Sequence, residues 1–142
     1  MSYLITPQIN LGLQITILAL IIVSLVLKRM RKYLLHAASM LTAAILNLLS
    51  FFAIMWPNFL SMREFLTINI SERLSLVTIG HAVFGASSEI LAILVLALWG
   101  LRSSAQTCFK YKKLMRLTFV LWMIALGLGI LFYVLAYTSF LG

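Results

Sequence analysis

From Leu74 to Leu101 the chain is apolar enough, and at about 1.5 Å of rise per residue long enough, to cross a bilayer. Inside this run lies Glu89, the one carboxylate in any apolar stretch of the sequence. An ionised side chain at mid-membrane costs about 2.5 kcal/mol or more on insertion scales, so Glu89 must face protein or a wet cavity rather than lipid. His81 lies two turns earlier. With Thr78, Gly85 and Ser88 these two form one polar stripe, because residues three, four and seven apart share a helix face. The rest of the chain is expected to supply the partners of that stripe.

A mean hydropathy of +1.11, with 63% hydrophobic and 10% charged residues, excludes a water-soluble domain. Four apolar runs, about 9–27, 33–60, 74–101 and 117–141, each reach the length of a spanning helix. The expectation is an all-α, multi-pass integral membrane protein of the cell membrane. It is one four-helix transmembrane domain over residues 1–142, built as two helical hairpins. Nine of the eleven basic residues fall in two short connections: Lys28, Arg29, Arg31 and Lys32 in one, Arg102, Lys110, Lys112, Lys113 and Arg116 in the other. By the positive-inside rule both turns are cytoplasmic and both termini external. The basic turns are also sites for anionic lipid headgroups. A nucleic-acid partner would need a basic folded surface instead, and none is expected.

The opening MSYLITPQIN lacks a basic n-region and a cleavage pattern, so it reads as a retained anchor. The first helix is placed after Pro7 and reads as lipid-facing, with Gln8, Asn10 and Gln14 at its outer end, satisfied by water or headgroups. On the second helix His36, Ser39, Ala43, Asn47 and Ser50 recur at heptad-like spacing, the pattern of a packing seam with interhelical hydrogen bonds. Pro57 reads as a stop signal beside the interfacial Trp56, and FLSMREFLTI reads as a separate amphipathic segment at the membrane surface. Asn69-Ile70-Ser71 is a glycosylation sequon on the predicted outer side. Cys108 stands alone and reads as a reduced bystander.

With each helix centred in the bilayer, Asn47 and Glu89 fall within roughly 3 Å of the midplane and can meet. Glu89 then reads as an uncharged hydrogen-bonding pin, with Ser39 and Ser88 as further interhelical contacts; a proton or ion pathway built on Glu89 is the other use of such a group. His36 and His81 are the candidate haem or copper ligands. Their depths differ by roughly 26 Å, so a single metal would need a second ligand of another kind or from another chain. The sequence holds no Gly-rich phosphate loop, no metal-spaced Cys/His cluster and no nucleophile triad, so neither a metal site nor catalysis is expected.

A His near the outer end of a small-residue helix, the Lys110–Lys113 turn of K-x-K-K type and a closing aromatic helix ending YVLAY resemble the DUF420 family of YozB/CtaM-like membrane proteins. That family is implicated in maturation of haem-copper cytochrome oxidase. The likeness spans about Lys28 to Tyr137, and His81 is the position it carries over. Where the family has a His in each basic turn, this chain has Met30 and Tyr111. The resemblance implies a non-catalytic accessory or assembly subunit of a larger respiratory or oxidase-type complex, partnered by other integral membrane subunits. A haem- or quinone-handling electron carrier is the alternative.

Overall fold

The computed structural model describes residues 2–68, 71–99 and 109–141, with side chains for 7–68, 71–99 and 109–136. The regular structure is helical: α1 (Ser2–Arg29), α2 (Tyr33–Ser50), a π-helical turn (Phe51–Met55), α3 (Trp56–Ile68), α4 (Arg73–Trp99) and α5 (Lys112–Leu141). Among the described residues four stretches are long and apolar enough to cross a membrane: Pro7–Arg29, Tyr33–Ile68, Arg73–Trp99 and Lys112–Ala136. The chain is a four-helix membrane bundle. Helices answer the main constraint of hydrocarbon, which offers backbone N–H and C=O groups no partner outside the segment itself. The sequon residues Asn69 and Ile70, Arg102 and Cys108 lie outside the described residues.

Two prolines behave otherwise than the sequence suggested. Pro7 lies inside α1 rather than before it; its fixed φ suits helical geometry, and this close to the helix start few backbone bonds are disturbed. Pro57 does not end the second span. A proline within a helix leaves the carbonyl four residues back, here Ala53, without a donor and crowds it. The chain widens the turn ahead of it, so that the Trp56 N–H bonds the Phe51 carbonyl five residues back. Helix then continues to Ile68, and the expected separate interfacial segment is instead the last part of this span. At 36 residues it measures roughly 54 Å, against a hydrocarbon core of about 30 Å.

The basic turn after α1 is closed by backbone bonds from Lys32 N–H to the Leu27 carbonyl (3.0 Å) and from Arg31 N–H to the Lys28 carbonyl (3.1 Å). Arg31 takes the left-handed φ of 59° that this Schellman arrangement requires. The reversal brings α2 back along α1, and α5 likewise packs along α4. The hairpins touch each other more sparingly, α2 against α4 and α1 against α5. Ile17, Ile21, Ala43, Trp122 and Leu126 form the apolar core at this junction. α1 is therefore not a plain lipid-facing helix: Gln14, Ile17, Ile21 and Ser24 form a buried stripe, at offsets of 0, 3, 7 and 10 that keep to one face.

Candidate functional site

Glu89 sits at the waist of the bundle, where the two hairpins meet. Asn47 Nδ2 donates to its Oε2 from α2, and behind Asn47 stands a chain of polar side chains on the α1–α2 hairpin. Gln14 Nε2 donates to Asn47 Oδ1 (3.2 Å) and to Ser50 Oγ (3.3 Å). Ser50 Oγ donates in turn to Asn10 Oδ1 (2.6 Å). Asn10 and Gln14 are thus bound to protein rather than to headgroups, because the stripe that carries Ile17 and Ile21 into the core carries these amides with it. Such a line is coherent when each donor finds an acceptor, and costly when any one is lost.

The two histidines lie at opposite ends of the bundle and are held in the same way. His36 is buried, with Nδ1 2.9 Å from the Ser24 carbonyl and 2.6 Å from Ser24 Oγ. A carbonyl only accepts, so Nδ1 carries the proton. Ser24 Oγ donates back to the His36 carbonyl at 3.1 Å. The His36 ring also lies 6.0 Å from that of Trp99 on α4. His81 Nδ1 donates to the Ala125 carbonyl on α5 at 2.7 Å. The stripe of His81 thus faces its own hairpin partner, and the α2 seam reaches α4 through Asn47. Ser39 and Ser88 make no interhelical hydrogen bond of their own: Ser39 Oγ donates to the Leu35 carbonyl and Ser88 Oγ to the Gly85 carbonyl. A hydroxyl near the carbonyl one turn back satisfies itself locally.

Above and below the waist the hairpins stand apart. One cavity of about 660 Å³ opens toward the basic end, between residues of all four spans including Ile21, His36, Glu89, Trp99 and Trp122. Another of about 900 Å³ opens toward the other end and includes Asn10, Gln14, His81 and Tyr133 in its wall. Asn47, Ser88 and Trp122 line both and divide them. The histidines therefore open on different cavities, as their depths require. Among the described residues no three His, Cys, Asp or Glu side chains gather at metal-binding spacing.

No family model, curated protein or solved structure matches the chain. What the residues do is read from their geometry.

Among the described residues three buried side-chain atoms lack a partner: Ser75 Oγ, Glu89 Oε1 and Trp99 Nε1. Glu89 and Trp99 line the same cavity. Ser24 and Trp99 went unmarked in the sequence, and Gln14 was read as a headgroup-facing amide rather than a buried one. The signal for Gln14 and Ser24 was present in their spacing with Ile17 and Ile21; Trp99 resembled any aromatic near a membrane surface.

Proposed function

We propose that the protein is a non-catalytic accessory or assembly subunit of a larger membrane complex, of the respiratory oxidase type that the DUF420-like motifs suggest. The observation behind this reading is the use to which the polar groups are put. Both histidines are tied by Nδ1 to a neighbouring helix and Glu89 accepts from Asn47, so the side chains best suited to chemistry fix helix packing instead. The partners are other integral membrane subunits, met through the apolar outer faces, with anionic lipids at the basic turns. The positive-inside rule puts the end bearing Lys28, Arg29, Lys112 and Arg116 in the cytoplasm and both termini outside. A terminal tag accessible only from outside intact cells checks this.

The two cavities favour a second reading, a carrier of haem or a quinone. A proton path through Glu89 is less well supported, because the walls on both sides of the waist are overwhelmingly apolar and apolar cavities stay dry. Native mass spectrometry of the gently solubilised protein separates these readings. Co-purified membrane subunits, with loss of the host complex when the protein is deleted, support the accessory role. A Soret band or a bound quinone in the isolated chain supports the carrier.

A further inference from the structure

The cavity on the basic side is chemically graded along its length. At its mouth stand Lys28 and Arg29 from the end of α1 and Lys112 and Arg116 from the start of α5. Trp99, at the same end of α4, is 1% exposed, and its Nε1 has no acceptor. Along the shaft the walls are apolar, with Ile21, Val95 and Phe119 among them. At the blind end is Glu89, 6% exposed, with Oε1 unpartnered. Ten residues of helix separate Glu89 from Trp99, roughly 15 Å of rise. A buried polar atom left unpaired is costly, and the two residues that carry these atoms, Glu89 and Trp99, both line this one cavity, of a size that holds one small molecule.

We propose that this cavity binds an acidic single-chain lipid that is oxygenated at its far end. The acid group sits among the four cations and accepts from the Trp99 N–H, the chain fills the shaft, and a terminal hydroxyl donates to Glu89 Oε1. Each part of the ligand answers a separate feature of the wall. A small soluble anion leaves the shaft empty, an unsubstituted fatty acid leaves Glu89 unpaired, and a neutral lipid leaves the mouth uncompensated. The site is independent of which complex the protein serves.

The test is a native mass spectrometry titration of the full chain in detergent with dodecanoic acid, its omega-hydroxy derivative and the methyl ester of that derivative. The omega-hydroxy acid is expected to bind one to one, about ten-fold tighter than either of the others, the equivalent of one buried hydrogen bond or charge contact. Glu89→Leu should erase the margin over dodecanoic acid while Glu89→Gln, which still hydrogen-bonds, keeps it. Trp99→Phe should shrink the margin over the methyl ester. Ala92→Phe and Ala44→Phe, which obstruct the shaft from opposite walls, should each weaken binding at least ten-fold with helicity unchanged. Equal binding of the three compounds overturns the proposal. So does a margin that survives Glu89→Leu, or binding indifferent to both obstructing variants, which would place the lipid on the outer surface. If Glu89→Leu does not fold, the three-compound comparison on the unaltered chain decides alone.

Discussion

The two hairpins solve the same packing problem with different chemistry. α1 and α2 are joined by polar side chains: the amide line from Asn10 through Gln14 to Asn47, and the reciprocal Ser24–His36 pair. α4 and α5 are joined chiefly by closeness, with the His81 bond to the Ala125 carbonyl added to it. A methyl added at Gly80 would come within 3.3 Å of Leu128 Cδ1, and one added at Gly129 within 3.0 Å of His81 Cε1. Small residues let backbones approach until dispersion holds them, whereas polar residues hold helices together because lipid offers no alternative partner. The first arrangement tolerates changes of size and fails when a donor is removed. The second depends on one polar contact, His81 with Ala125, and fails first when volume is added.

Adding volume to the close-packed hairpin gives the largest effect expected. In Gly129→Ala the new methyl meets the His81 ring at 3.0 Å, so the ring must give by a few tenths of an ångström and strain its bond to the Ala125 carbonyl. Overpacking of this kind costs about 1–3 kcal/mol. Gly127, two residues away, has open space around it, so Gly127→Ala should be neutral or stabilise by up to about 1 kcal/mol through helix propensity. Unfolding of both variants in mixed micelles checks the pair. Equal effects would show that α4 and α5 are not held by proximity.

Next in size is the link between hairpins. Asn47→Leu takes from Glu89 its one hydrogen bond and from Gln14 one of its acceptors. The expected loss is about 0.6–2 kcal/mol, the range for interhelical polar contacts in membranes. The same unfolding assay measures it, and an unchanged midpoint would mean that the waist is held by Trp122 and its apolar neighbours alone.

Ser24→Ala should cost less, about 0.6 kcal/mol. It removes the hydroxyl contacts with the His36 ring and carbonyl but leaves the Ser24 carbonyl as acceptor for Nδ1. A loss as large as that of Asn47→Leu would show that the hydroxyl, not the carbonyl, positions the ring.

The same contrast explains what the sequence disclosed. The four spans are legible because each must be apolar over its whole length. Asn47 and Glu89 can be set at one depth by counting residues, which is all that a contact between midpoints needs. Rotation about each helix axis is harder. Gln14 and Ser24 look peripheral until their spacing with Ile17 and Ile21 is used, and depth alone does not say that the face of His81 meets α5. The π turn ahead of Pro57 escaped for a further reason. A proline announces a lost hydrogen bond, yet helix end and widened turn both accommodate it, and only the surrounding packing chooses between them.

The smallest effect belongs to the turn that sets the register of the polar hairpin. Arg31 carries a side chain at φ 59°, where an L residue crowds its own carbonyl and glycine does not. The Schellman bonds at Leu27 and Lys28 hold it there. Arg31→Gly should relieve the strain, with part of the gain returned as the greater freedom of glycine in the unfolded chain, for a net stabilisation of about 0.5 kcal/mol. Arg31→Ala removes the same charge and keeps the strain, so it should leave stability unchanged. If both variants gain equally in the mixed-micelle assay, repulsion among Lys28, Arg29, Arg31 and Lys32 is the larger burden on this turn, and its backbone conformation is not what limits the hairpin.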